Sequence, residues 1–216
     1  MNDLVRELER SKIVAIVRGT FGDDLIKLAR ALNAGGIRFL EVTFVQNADD
    51  CIERTAAAIR SLTEAVPEDM HIGAGTVLTA EQVQAAHAAG AQYIISPNVN
   101  ERVIRRTKEL GLVSIPGAMT PSEICTAHEL GADIVKLFPF GDLGIKYVKD
   151  IRAPLSHIKL MATAGINEEN LGEALDAGFC SAGVSGRLTD KKLIAEGNFA
   201  ELTRRAAVFT AIAGSR

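Results

Sequence analysis

The feature that most constrains the fold is a repeated unit, in which a helical stretch ends at a glycine and a short apolar run follows. The helix-ending phrase occurs as "NAGG" at 33–36, "HAAG" at 87–90, "KELG" at 108–111, "HELG" at 128–131 and "LDAG" at 175–178. Glycine often ends a helix because it adopts the left-handed backbone conformation without strain. Strands that alternate with helices across short loops are typical of a parallel sheet.

Eight apolar runs separate the helical stretches and are predicted as strands. They are 13–18, 38–44, 71–76, 93–96, 112–116, 134–138, 158–163 and 181–185. The predicted helices between them include 23–34, 49–65 and 80–89. Eight strand–helix units in about 200 residues fit a (β/α)8 TIM barrel. A doubly wound open sheet is the alternative that periodicity leaves open.

We expect residues 1–216 to form one barrel domain, because no linker or shift of composition divides the chain. The N-terminal segment "MNDLVRELERSK" is charged and amphipathic. It predicts an extra helix that closes the bottom of the barrel.

Charge and composition narrow the classes of partner. The formal net charge of −3 gives no basic field for nucleic acid or an anionic membrane. No apolar run approaches the roughly 18 residues that span a bilayer. The three cysteines form neither a metal motif nor an obvious disulfide framework, and the four histidines lack metal-ligand spacing. We therefore expect a cytoplasmic protein without metal or cofactor.

Two charged residues lie inside apolar strands, which is rare for unpaired charges. Lys136 occurs in "DIVKLFP" and Glu41 in "FLEVTF". A structural ion pair is one interpretation, since the two charges can neutralise each other. The other is a catalytic amine with a carboxylate partner. Burial lowers the pKa of an amine below its free value of about 10.4, and a neutral amine can form a Schiff base with a ketone.

Further polar or small residues stand at the ends of predicted strands, where barrel enzymes carry their active sites. They are Arg18, Thr76, Pro97, Thr163, Gly165, Ser185 and Gly186. A helix starting near Thr189 or Asp190 would point free N–H groups at an anion such as phosphate. Alternatively, these glycines only make tight turns and Arg18 is a rim charge. Lys191 and Lys192 are interpreted as solvated helix charges.

Six motifs together resemble the family of 2-keto-3-deoxy-6-phosphogluconate (KDPG) and 4-hydroxy-2-oxoglutarate (KHG) aldolases. They are "LEVTF" (40–44), "GAGTVLT" (73–79), "ISPN" (95–98), "IPGAMTPSE" (116–123), "KLFP" (136–139) and "TAGIN" (163–167). The match runs in order across most of residues 13–188, so it is more specific than any single motif.

The resemblance implies a homotrimeric barrel and a metal-free class I lyase. It would cleave a 2-keto-4-hydroxy acid such as KDPG to pyruvate and glyceraldehyde 3-phosphate, or KHG to pyruvate and glyoxylate. By resemblance Lys136 would form the Schiff base and Glu41 would be the general acid/base. Thr76 would hold the pyruvyl carboxylate, and Pro97 and Phe138 would wall the pocket. Thr163 matches the family threonine linked to the stereochemical choice at C4.

The chain departs from the family pattern at three places. Val45, in "EVTFVQ", replaces an arginine that helps to hold the substrate, and Gln46 or Arg18 are candidates to substitute for it. The usual glycine pair after the seventh strand is Ala164-Gly165. The phosphate loop reads "VSGRL" (184–188), which shifts Ser185 by one position.

Two other functions stay open at this point. One is a phosphate-binding barrel isomerase or synthase without a covalent amine. The other is a non-catalytic binding protein on the same barrel.

Overall fold

The computed structural model describes residues 3–216, and a parallel sheet closed into a barrel forms its centre. Its strands are β1 (Ile13–Val17), β2 (Phe39–Thr43), β3 (His71–Gly75), β4 (Tyr93–Ile95), β5 (Val113–Ile115), β6 (Gly117–Ala118), β7 (Val135–Leu137), β8 (Leu160–Thr163) and β9 (Ser181–Val184). Apart from β5 and β6, strands that follow one another along the chain are paired neighbours, and β1 pairs with both β2 and β9. This order excludes the doubly wound sheet and confirms the predicted TIM barrel.

Except for α1, which precedes β1, the helices come after strands and cover the outside of the barrel. They are α1 (Asp3–Ser11), α2 (Gly22–Ala34), α3 (Cys51–Ala65), α4 (Ala80–Ala88), α5 (Glu101–Glu109), α6 (Pro121–Glu129), α7 (Phe140–Arg152), α8 (Leu171–Asp176), α9 (Lys191–Ala195) and α10 (Phe199–Gly214). All five predicted glycine stops lie at helix ends with positive φ. No helix between residues 3 and 216 is both long and apolar enough to cross a membrane.

The fifth barrel strand is broken, which the sequence prediction of one strand over 112–116 did not include. Pro116 separates β5, which pairs with β4, from β6, which pairs with β7. Proline has no N–H to give to a sheet, so the ladder is interrupted there. The Pro116 carbonyl still accepts a hydrogen bond from the Lys136 N–H at 2.8 Å. The break therefore bends the strand without opening the barrel.

The predicted N-terminal helix is confirmed as α1, which closes the bottom of the barrel. Its apolar residues Val5 and Leu8 are buried against interior side chains of the strands, including Phe39. Charged residues anchor its edge: Glu7 lies 3.0 Å from His71, and Glu9 lies 2.8 Å from Lys159. The first two residues of the predicted segment lie outside the described residues. With this end closed, the barrel interior opens only towards the carboxyl ends of the strands.

Candidate active site

A cavity of about 530 Å³ lies at the carboxyl ends of the strands. It brings together nine of the ten residues predicted for the site: Arg18, Glu41, Thr76, Pro97, Lys136, Phe138, Thr163, Ser185 and Gly186. The tenth, Gly165, does not line the cavity, whereas its neighbour Ala164 does. The strand ends thus converge on one chamber, as the barrel topology requires.

Lys136 projects into this cavity from the middle of β7. Its neighbours Val135 and Leu137 alternate with it and are buried in the outer core. Lys136 is only 6% exposed, and its Nζ lies 4.7 Å from the centroid of the Phe138 ring. Burial lowers the pKa of Lys136; the charge of Glu41 opposes this effect and that of Arg18 adds to it. The site therefore favours an amine without its proton, which is the nucleophilic form.

Glu41 enters the same chamber from β2 and is 2% exposed. Burial raises the pKa of Glu41, and the positive charges of Lys136 and Arg18 oppose that rise. A Cβ atom built on Gly75 would overlap Glu41 Oε1, so the carboxylate lies directly over that glycine. The other oxygen, Oε2, is buried without a hydrogen-bond partner among the described residues. The carboxylate thus lies over Gly75 with one oxygen free to take a proton.

No ion pair within 4.0 Å joins Glu41 to Lys136 in the described part of the chain. A purely structural pair is stable in a core only with close contact and full hydrogen bonding. Instead, both groups face the cavity and influence each other's pKa across it. The geometry favours the interpretation of an amine and a carboxylate that act on a molecule between them.

Arg18 takes the cationic place at the mouth of the cavity. Its Nη2 donates a hydrogen bond to Thr76 Oγ1 at 3.3 Å. Val45, which replaces the family arginine, is half-buried and does not line the cavity. Gln46 donates to the Thr76 carbonyl at 2.6 Å and accepts from Gln82 at 2.9 Å, so both ends of its amide are engaged. Of the two suggested substitutes, only Arg18 reaches the chamber.

The loop after β9 differs from the predicted anion cradle. The Asp190 side chain caps α9 and accepts hydrogen bonds from the N–H groups of Lys192 and Leu193. The prediction that this helix start offers free N–H groups is therefore wrong for Lys192 and Leu193, because the Asp190 carboxylate occupies both. Lys191 was missed as a site residue: it lines the cavity. Its position directly after the capping aspartate was the only available signal.

Ala164 and Gly165 share the tight connection that leaves β8. Both have positive φ, 73° and 81°. A Cβ on Gly165 would lie 2.8 Å from the Gly141 Cα atom, and the Gly141 N–H donates to the Ala164 carbonyl at 3.0 Å. Gly165 therefore permits close approach of the start of α7, while Ala164 occupies the cavity wall.

Metal ligands are not gathered at the site. Within residues 3–216 no group of three or more His, Cys, Asp or Glu side chains is placed to hold a metal ion. The titratable groups of the chamber are Arg18, Glu41, Lys136, Asp190 and Lys191.

Comparison with known proteins agrees with this geometry. A family model for KDPG and KHG aldolases matches residues 4–205. A 2-dehydro-3-deoxy-phosphogluconate aldolase of Treponema pallidum (strain Nichols) is 35% identical over 206 residues, which is 94% of each chain. A 2-dehydro-3-deoxy-6-phosphogalactonate aldolase of Escherichia coli (strain K12) is 34% identical over 177 residues, covering 82% of this chain and 83% of that protein.

A solved structure is similar over the whole barrel. It is a KDPG aldolase from Legionella pneumophila with pyruvate captured at low pH as a covalent carbinolamine intermediate. Its TM-score is 0.84 at 28% identity, with 95% of this chain and 97% of that chain covered. Since the family model spans nearly the whole chain and both relatives exceed 30% identity over most of it, the protein is a lyase that belongs to the family of KDPG and KHG aldolases.

Proposed function

We propose that the protein is a class I aldolase that cleaves a 2-keto-4-hydroxy acid through a Schiff base at Lys136. The observation that carries this proposal is a buried lysine of lowered pKa in one cavity with a buried carboxylate that makes no ion pair to it. An isomerase or synthase without a covalent amine does not require such a lysine, and a binding protein requires neither group.

The amine acts first. Neutral Lys136 attacks the C2 ketone of the substrate and forms a carbinolamine. A proton from solvent is taken up by the carbinolamine hydroxyl, and loss of water then leaves a protonated imine. This cation accepts the electron pair of the C3–C4 bond. The Glu41 carboxylate, acting through a water molecule, takes the proton of the C4 hydroxyl as that bond breaks. An aldehyde leaves, and the pyruvate enamine stays on Lys136.

Glu41 then works in the opposite direction. Its carboxyl group, now protonated, returns a proton to C3 of the enamine and restores the imine. Water adds to the carbon of the protonated imine, and breakdown of the carbinolamine releases pyruvate, the free amine of Lys136 and the proton that was taken up when the imine formed. Burial disfavours the charged form of both groups, which lowers the pKa of the Lys136 amine and raises that of the Glu41 carboxyl group.

The remaining cavity residues bind and orient the substrate in this proposal. Arg18 and Thr76 hold the carboxylate next to the keto group, as their mutual hydrogen bond at one end of the cavity supports. Pro97 and Phe138 form the apolar walls, and Thr163 faces C4. Ser185 and Gly186, with the Lys191 ammonium at the rim, receive the far end of the substrate. Gly165 acts indirectly, by allowing the compact turn beside Ala164.

The proposed substrate is KDPG, which gives pyruvate and glyceraldehyde 3-phosphate; KHG, which gives pyruvate and glyoxylate, is the shorter alternative. The relatives are named for the gluconate and the galactonate epimers. Steady-state cleavage of KDPG, its C4 epimer and KHG ranks the three. Higher efficiency on the two phosphorylated acids supports binding of their phosphate group by the protein. Equal efficiency on KHG, which has no phosphate, contradicts it.

We also propose that the chain is one barrel domain, forms a homotrimer and works in the cytoplasm. The family resemblance supports the trimer, and light scattering with size-exclusion chromatography measures it. The three cysteines are all free, which supports a reducing compartment.

The test is trapping with pyruvate and borohydride followed by peptide mapping. We expect one reduced adduct, on Lys136, and none in Lys136→Met. Lys108→Met is the matched control, because Lys108 pairs with Asp133 outside the cavity at 2.6 Å. An adduct on another lysine, or no adduct in the wild type, contradicts the mechanism.

A further inference from the structure

Two glycines of β3 leave space that side chains of neighbouring strands occupy. A Cβ atom on Gly73 would overlap the ring of Tyr93, and one on Gly75 would overlap Glu41 Oε1. Residues two apart on a strand face the same side of the sheet. The Tyr93 ring and the Glu41 carboxylate therefore occupy adjacent places on the interior surface of β3.

The strand register brings the same two residues together. Glu41 on β2 pairs with Gly73 on β3, and Gly73 pairs with Tyr93 on β4. Because the residue between them has no side chain, nothing on β3 separates Tyr93 from Glu41. The ring lies on the closed side of the carboxylate, packed against Phe39 with ring centroids 5.7 Å apart.

Both side chains carry a buried polar atom that has no protein partner. Tyr93 is 1% exposed, and its hydroxyl has no hydrogen-bond partner among residues 3–216. Glu41 Oε2 is likewise buried without a hydrogen-bond partner among these residues. Burial raises the pKa of the Tyr93 phenol, and the nearby charge of Glu41 raises it further, so the phenol keeps its proton. A protonated hydroxyl is a donor, and Oε2 is an acceptor.

We propose that Tyr93 is a positioning residue whose hydroxyl donates a hydrogen bond to one water molecule, which in turn donates to the Glu41 carboxylate from the side opposite the substrate. The inference rests on the proposed role of Glu41 in proton transfer. Such a bond favours the charged carboxylate and opposes the effect of burial. Tyr93 thereby keeps Glu41 available as a base at a pH at which a carboxyl buried without it would be protonated.

Other charged groups also face Glu41, and their effect on its pKa must be distinguished from that of Tyr93. They are Lys136 on β7 and Arg18 after β1. His71 lies one layer lower, with its ring centroid 4.8 Å from that of Phe39. At saturating pyruvate Lys136 is held as the imine and no longer titrates as an amine. The acid limb of a reaction measured under that condition therefore reports Glu41.

The experiment measures exchange of the pyruvate methyl protons for deuterium by NMR at saturating pyruvate across pH. We expect Tyr93→Phe to move the acid limb upwards by about one pH unit, since loss of a hydrogen bond to the carboxylate favours its protonated form. Tyr147→Phe removes the same hydroxyl from α7, where it donates to the Met119 carbonyl outside the cavity. This control should leave the limb unmoved. An unmoved limb in Tyr93→Phe, or equal shifts in both variants, overturns the proposal.

A second measurement does not depend on how well Tyr93→Phe folds. The chain has two tyrosines, so fluorotyrosine incorporated into the Tyr147→Phe protein labels Tyr93 alone. We expect its fluorine signal to change with pH at the midpoint of the acid limb. The step should vanish when Glu41→Gln is added. A signal that does not change through that range overturns the proposal.

The two readouts separate this inference from the function beneath it. Failure to trap pyruvate on Lys136 removes the aldolase mechanism and the Tyr93 role with it. If pyruvate is trapped and exchanged normally but the acid limb is the same in Tyr93→Phe as in the wild type, the aldolase mechanism stands. Only the proposed role of Tyr93 is then removed.

Discussion

At the scale of single residues, burial moves Lys136 and Glu41 towards their uncharged forms from opposite sides. It lowers the pKa of the amine and raises that of the carboxyl group. The charge of each group opposes the effect of burial on the pKa of the other, because Lys136 and Glu41 have charges of opposite sign. Both shifts favour the uncharged groups, whereas a free lysine and a free glutamate are charged at neutral pH.

Replacing Glu41 separates proton transfer from covalent bonding. We expect Glu41→Gln to slow turnover by roughly 100-fold or more, the usual scale for a lost general acid/base. Borohydride should still trap pyruvate on Lys136, since the amine is untouched. Steady-state kinetics and mass spectrometry on the same preparation check both statements. Turnover at the wild-type rate would reassign Glu41 to a structural role.

The same variant should change how stability depends on pH. The pKa of Glu41 is raised in the folded state, so its contribution to stability is fully present below the ordinary value and is lost as pH rises through the folded value. The glutamine that replaces it does not titrate. The stability of Glu41→Gln relative to wild type should therefore be higher at pH 7 than at pH 4, as measured by urea unfolding. A relative stability that is the same at both pH values would contradict the raised pKa.

The amino-acid sequence identifies much of the site at this scale, for a physical reason. A charged residue inside an apolar strand is conspicuous, so the pattern of the chain alone singles out Lys136 and Glu41. Tyr93, proposed above as a positioning residue, was missed because a tyrosine in an apolar strand is typical of a core. Only its packing over Gly73, which pairs with Glu41, shows that its ring lies beside the carboxylate. Lys191 was missed because a lysine at a helix start is usually solvated.

At the scale of elements, the turn after β8 contains a residue in an unfavourable conformation. Ala164 has φ of 73°, in the left-handed region that favours glycine. This conformation costs a residue with a Cβ about 1–2 kcal/mol. The family pattern places glycine there, which relieves that cost.

We expect Ala164→Gly to stabilise the protein by up to about 1 kcal/mol, since the gain in the turn is reduced by greater freedom of the unfolded chain. The midpoint of urea unfolding measures the change. Ala162→Gly is the matched control: that residue is buried in β8 without positive φ, so its substitution should destabilise. A loss of stability in Ala164→Gly would show that the methyl group contributes more by packing than it costs in the backbone.

The boundaries of strands and helices show which features a local sequence pattern predicts and which it does not. The predicted strands begin and end within two residues of the observed ones, because a short apolar run that follows a glycine restricts where a strand can lie. The apolar pattern ends a strand at Pro116, yet the chain continues into β6 after it. The function of the α9 start also depends on a side-chain bond, from Asp190, that no spacing rule supplies.

At the scale of the whole molecule, the barrel has one closed and one open end. Val5 and Leu8 of α1 join the interior cluster from below, and the catalytic chamber opens above it. The interior layers between them include Phe39 and Tyr93. Stability and chemistry are therefore concentrated at opposite ends of the same barrel.

This division predicts that damage at the closed end reduces stability but leaves the chemistry intact. Leu8 is 1% exposed, so Leu8→Ala should cost about 2–5 kcal/mol of unfolding free energy. Turnover per folded molecule at low temperature should stay near that of the wild type. Leu4→Ala, on the same helix but only partly buried, is the milder control. A large fall in turnover of folded Leu8→Ala would show that α1 also shapes the chamber.

The glycine beneath the carboxylate also determines which mutational paths are open to this enzyme. A methyl group at position 75 requires the Glu41 side chain to move, because the carboxylate in its present place would overlap it. A library that varies position 75 alone should return active clones with glycine only. Varying both positions together should return pairs in which a shorter acid at 41 matches a larger residue at 75. We therefore expect the two sites to be epistatic, with changes at Gly75 that follow a shorter acid at position 41.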